Sequence, residues 1–129
     1  MKNWFIVLII LLQAAWSEAS ELEILLGGNA PRDQYLSANF GITFVHMSQY
    51  RDWTITNTGL SDLNINKIII RGVMFDAQTN CPRIMLPKKK CLLRARYNPF
   101  TEGFHSGQLD VIFNEGGNIY IDLYGNAHR

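Results

Sequence analysis

"CLLRARYNP", residues 91–99, is the stretch that decides the fold, because its side chains sort with a period of two. Cys91, Leu93, Ala95 and Tyr97 fall on one side, and Leu92, Arg94 and Arg96 on the other. That alternation marks a β-strand with one face against a core. Pro99 closes the stretch, since proline has no amide with which to continue a ladder.

The same period continues outward in both directions. Downstream, Leu109, Val111 and Phe113 make one inward set, and Ile119, Ile121 and Leu123 another. "NEGGN", residues 114–118, joins the two as a hairpin. Upstream, 63–71 carries the inward set Leu63, Ile65, Ile68 and Ile70, which skips a beat at Asn66-Lys67, so a β-bulge is expected there. Leu22–Leu26, a short strand at Gly41–Val45, and Tyr50–Asn57 with Trp53 and Ile55 inward and Thr54 and Thr56 outward complete the set. No window has the 3.6 period of an amphipathic helix. Turn-forming clusters break the chain every eight to twelve residues. Seven to eight strands, each with one apolar face, predict an all-β fold of two stacked sheets.

The first 19 residues read differently. Lys2 gives a positive start, Trp4 to Leu12 is an unbroken apolar run, and Ser17 and Ala19 place small side chains where a signal peptidase cuts. Residues 1–19 are expected to be a cleaved signal peptide, cut after Ala19 or after Ser17. The run from Trp4 to Trp16 falls short of the roughly 20 residues that a bilayer requires, and no transmembrane segment is expected after cleavage. The expected location is secreted or periplasmic. Loss of residues 1–19 removes Lys2 and Glu18 and leaves the net charge at +1, so no global field draws the chain to nucleic acid or membrane.

An exported chain with two cysteines favours a bridge between Cys81 and Cys91, because that compartment is oxidising. A zinc site would need four close ligands, and His46, His105 and His128 lie apart from the cysteines and from one another. No metal or cofactor is expected.

The order of short motifs resembles the choice-of-anchor D domain, of the immunoglobulin-like group that includes the ASH and major-sperm-protein modules. The residues that carry the resemblance are "NFG" (39–41), "WTITNTG" (53–59), "DLNINKI" (62–68), the paired cysteines, "RYNP" (96–99), "EGFHSGQLDV" (102–111) and "IDLYGNA" (121–127). The resemblance implies an immunoglobulin-like β-sandwich over residues 37–129, preceded by a strand and linker at 20–36, with the cysteines bracketing one loop. In "NTG", Asn57 is expected to bond backbone at a strand end while Gly59 takes a positive φ. In "EGFHSG", the two glycines are expected to allow a tight crossing into the next strand. The family's loop between the cysteines usually carries glycine and small residues where this chain has Lys88, Lys89 and Lys90.

No nucleophile-base pair, paired carboxylates or phosphate loop stands out, and a non-enzymatic role is expected. Ser106 follows His105, but neighbours on a strand point to opposite faces, and Ser106 reads as a turn serine. Two surfaces are candidates for function. Arg83, Lys88, Lys89, Lys90, Arg94 and Arg96 form a basic cluster suited to an anionic glycan, lipid headgroup, nucleic acid or acidic protein, or else a hydrated turn that protects an edge. Ile69, Ile112, Tyr120 and Tyr124 are outward positions more apolar than water contact requires, and suit an envelope or secreted protein partner or simple cross-strand pairing. Residues 20–36 would remove that second signal if they covered the face. An open sandwich edge adds self-association as a further expectation.

Overall fold

In the computed structural model of the protein, residues 32–129 are described in full and residues 21–26 by their backbone. The signal peptide expected at 1–19 lies outside the described residues. The strands are β1 (Glu21–Leu26), β2 (Gln34–Phe44), β3 (Gln49–Asn57), β4 (Leu63–Arg71), β5 (Phe75–Thr79), β6 (Ile84–Met85), β7 (Lys90–Tyr97), β8 (Gly103–Phe113) and β9 (Ile119–His128). They form a four-stranded sheet in the order β1-β3-β7-β5 and a five-stranded sheet in the order β2-β9-β8-β4-β6. The expected all-β sandwich is what forms.

The inward sets read from the sequence build its core. Trp53, Ile55, Leu93, Ala95 and Tyr97 of the four-stranded sheet are fully buried, as are Leu109, Val111, Ile119, Ile121 and Leu123 of the five-stranded one. Burying each large apolar side chain stabilises the fold by about 1.5–3 kcal/mol. The bulge in β4 lies between Ile65 and Lys67, where the register against β8 shifts. Thr56, expected to face out, is buried at the end of β3.

Several strands exceed or escape the sequence reading, β2 and β5 among them. β2 begins at Gln34 rather than Gly41, and its first half gains regularity from parallel pairing with β9, Tyr35 to Tyr120 and Leu36 to Ile121. At "NFG", Gly41 adopts φ 73° with its amide donating to Asn39 Oδ1, and the register breaks there. β5, "FDAQT", has too few apolar residues to announce itself, but pairs with β7 through Phe75 to Tyr97 and Ala77 to Ala95.

The disulfide joins Cys81 and Cys91, with Cα atoms 4.9 Å apart. Between them the chain leaves the four-stranded sheet, pairs as β6 with Leu63 and Asn64 of β4 in the other sheet, and returns. Asn57, fully buried, holds this loop from below. Its Nδ2 donates to the Ser61 and Met85 carbonyls, and its Oδ1 accepts the Gly59 amide. The expected side-chain role of Asn57 is therefore present, but Gly59 is not among the residues with positive φ; Lys88 takes that conformation instead, at 67°. "EGFHSG" is likewise no crossing. Gly103 opens β8 at φ 110°, and Gly107 lies mid-strand, where a Cβ would stand 2.4 Å from the Arg71 carbonyl oxygen.

Candidate interaction surfaces

The five-stranded sheet turns one face to the core and one outward, and strand register arranges the outer side chains in rows. Tyr35, Tyr120, Asp110 and Ile69 make one row across β2, β9, β8 and β4. Ser37, Asp122, Gln108 and Arg71 make the next, and Asn39, Tyr124 and Ser106 the one after. Ile42, Asn126 and Phe104 follow, and Ile112 lies opposite Lys67 toward the other end. The outward positions Ile69, Ile112, Tyr120 and Tyr124 thus share one face, each half-buried by its neighbours.

Residues 20–36 do not cover that face where they are described: Glu21–Leu26 pairs with β3 in the opposite sheet, and Gln34–Leu36 lies beside β9 as part of the edge strand. That strand enlarges the face. Tyr35 is 75% exposed and stacks on Tyr120 with ring centroids 5.2 Å apart. Phe104, 70% exposed, tilts against Tyr124 at 6.5 Å. Tyr35, Ile42, Phe44 and Phe104 were not singled out by the sequence, because the first three are placed by the parallel β2–β9 pairing and Phe104 by the early part of the β8–β9 pairing, and not by any local pattern.

A charged pair lies within this apolar surface. Asp110 points outward yet is only 4% exposed, and Arg71 donates to its Oδ2. Asp110 Oδ1 has no hydrogen-bond partner among the described residues.

The basic cluster is split by the fold. Arg94 and Arg96 project from the outer face of the four-stranded sheet, where each meets a carboxylate. Arg94 makes a bidentate pair with Asp52 at 2.7 and 2.9 Å and covers the Tyr50 ring at 5.2 Å. Arg96 pairs with Asp76. The hydrogen bond to Asp52, and then its charge, hold the Arg94 guanidinium above its already high range, and Asp76 does the same for Arg96. Arg83, Lys88 and Lys89 lie exposed on the loop, with Lys88 Nζ donating to the Thr58 carbonyl at 3.0 Å, while Lys90 opens β7 opposite Thr56.

His105 and Ser106 do face opposite ways, though both lie inside β8 and Ser106 is a strand residue, not a turn residue. His105 Nδ1 meets the Tyr97 hydroxyl at 2.6 Å and its Nε2 meets Thr101 Oγ1 at 3.0 Å. Its imidazole is held by scaffold contacts on both nitrogens. Among the described residues, no three of His, Cys, Asp or Glu gather as metal ligands.

Comparison with known families assigns residues 34–126 to one model, the HYDIN/CFA65/VesB-like, Ig-like domain. The chain belongs to this Ig-like family. The match spans β2 to β9, the two sheets that present both surfaces. Solved structures agree at the level of fold. The secreted serine protease VesC from Vibrio cholerae aligns with TM-score 0.55 and 19% identity over 69% of this chain and 21% of that one. A protein of unknown function from Porphyromonas gingivalis W83 aligns at 0.60 and 17%, over 73% and 44%. The ASH/PapD-like domain of human CEP192 aligns at 0.55 and 14%, over 76% and 83%. This Ig-like chain thus spans about a fifth of VesC and under half of the P. gingivalis protein. A comparison with curated proteins returns no match.

Proposed function

We propose that this Ig-like domain is an exported, non-enzymatic module that binds a protein partner of the cell envelope or the exterior through the outer face of its five-stranded sheet. The observation that carries the reading is the exposed Tyr35–Tyr120 stack, with Ile69 and Ile112 on the same face and the Phe104–Tyr124 pair beyond the polar row of Ser37, Asp122, Gln108 and Arg71. Such surfaces suit protein contacts, in which tyrosines supply large rigid area. Export is supported by the leader-like residues 1–19, by the Cys81–Cys91 bridge, and by the likeness in fold to secreted VesC. The motif order that resembles choice-of-anchor D belongs to the same reading.

Pull-down from envelope and culture fractions, with the wild type beside a Tyr120→Ser, Tyr124→Ser variant, tests the assignment. A partner retained by the wild type and lost from the variant is expected; retention by both contradicts it. Polyanion binding by the Lys88–Lys90 loop is the second reading, and the exposed Lys88 and Lys89 favour it. Two of its six cations, Arg94 and Arg96, already have carboxylate partners, which ranks it below the aromatic face. Retention on heparin that weakens steeply with salt, and disappears on Lys88→Ala, Lys89→Ala, Lys90→Ala, would raise it above the first.

A further inference from the structure

One flank of the sandwich is built as an unfinished sheet. β6 pairs with β4 only at Leu63 and Asn64, with one further bond from the Ile65 amide to the Arg83 carbonyl. From Lys67 to Arg71, β4 pairs among the described residues with β8 alone. Among the described residues, the lane that β6 begins is therefore open for the rest of its length. Across from it, β5 pairs among the described residues with β7 alone. Between these two edges lies a groove of about 210 Å³ lined by Ile68, Ile70, Ala77, Gln78, Thr79 and Leu93. Ile70, on the core side of β4, is still 36% exposed, with no strand among the described residues over it.

An open edge with an apolar groove beneath it is the geometry that accepts an added strand. The charges along the lane indicate which strand. Lys67, Ile69 and Arg71 alternate outward along β4, Arg71 with one guanidinium nitrogen on Asp110 and its side chain still over half exposed, while Ile68 and Ile70 face the groove. A second copy pairing β4 against β4 about Ile69 would set Lys67 against Arg71, two like charges directly opposed. An acidic strand with apolar residues at every second position matches both sides of the lane. The chain carries one next to its expected mature N-terminus: Glu21-Leu22-Glu23-Ile24-Leu25-Leu26, followed by Gly27-Gly28.

We propose that this flank receives Glu21–Leu26 of a second copy of the chain. Seating Leu25 against Ile69 serves in either strand direction: it sets Glu23 beside Lys67 or Arg71 and places Ile24 and Leu26 over Ile68 and Ile70. In the single chain Glu21–Leu26 pairs with β3, so donation requires it to leave that edge. Donor and acceptor surfaces differ, so the contact is head-to-tail and copies add one after another. This proposal is independent of the tyrosine face, and either can fail alone.

The test joins two full-length copies by oxidation, one carrying Leu25→Cys and the other Ile69→Cys, the native cysteines being already bridged. A covalent dimer through positions 25 and 69 is expected. Two controls bound the result: Leu25→Cys with Thr56→Cys in one chain, which reports the internal pairing, and Val73→Cys as acceptor, an exposed position off the lane that reports collision. Glu23→Lys on the donor is expected to lower the yield about fivefold to tenfold. Closure of the internal bridge with no 25–69 adduct, an equal yield at position 73, or indifference to Glu23→Lys would each overturn the proposal.

Discussion

The Tyr97 ring occupies the space that a side chain on Gly125 would need: a Cβ there would stand 2.2 Å from the ring's Cε2 and 2.5 Å from its Cζ. Tyr97 is held on its other sides by Phe75, stacked at 4.9 Å, and by Phe40, tilted at 5.7 Å. The ring has no room to retreat. Gly125→Ala is therefore expected to cost about 2–3 kcal/mol through overpacking. Urea unfolding measures it, and a change below about 0.5 kcal/mol, the range of an ordinary surface substitution, would contradict this packing.

Asn57 spends its side chain entirely on backbone groups of two loops. Asn57→Ala leaves the Ser61 and Met85 carbonyls and the Gly59 amide without that partner and is expected to cost about 2–4 kcal/mol. Asn57→Asp is expected to cost more, because a carboxylate would face two carbonyl oxygens where an amide now donates. Unfolding midpoints for the pair test the order; an aspartate variant as stable as the wild type would contradict it.

The Cys81–Cys91 bridge closes the loop that carries β6 across to the second sheet. Its removal is expected to lower stability by roughly 2.5–3 kcal/mol, by the entropy of a loop of that length. Urea unfolding with and without reductant reads this directly, and equal midpoints would count against it.

Burial raises the pKa of Tyr97 above its ordinary value of 10.0. Its folded-state pKa thus exceeds the unfolded one, so its stabilising contribution is complete below about pH 10 and is lost as pH rises from there through the folded value. Tyr97→Phe is expected to flatten the decline of stability above about pH 10, while costing about 1 kcal/mol at neutral pH through the lost bond to His105. Parallel pH profiles for the two proteins would contradict this.

The core was legible because its residues announce themselves locally. Cys91 to Tyr97, Leu109 to Phe113 and Ile119 to Leu123 alternate so plainly that their burial follows from the period alone, and the β4 bulge follows from the break in it. The first half of β2 was not legible, since a strand with Gln34, Ser37 and Asn39 is made regular by its partner β9 and not by its own composition. The aromatic face was half legible for the same reason. Tyr120 and Tyr124 lie outward by alternation on one strand, whereas Tyr35 joins them only through pairing between β2 and β9, distant in sequence, and Phe104 only because β8 begins at Gly103. The basic cluster looked continuous because six cations are close in sequence. Pairing with β3 and β5 then brought Asp52 and Asp76 to Arg94 and Arg96, which no local reading supplies.

The central claim, that the outer face of the five-stranded sheet is where a protein partner sits, is tested most directly by photo-crosslinking in the cells that make the protein. A photoreactive phenylalanine analogue is placed at position 35, beside Tyr120, and separately at position 92, on the outer face of the other sheet. A discrete heteromeric adduct from position 35 alone, lost on Tyr120→Ser with Tyr124→Ser, is the predicted result. An adduct from position 92 but none from position 35, or one from position 35 that survives loss of both tyrosines, would contradict it.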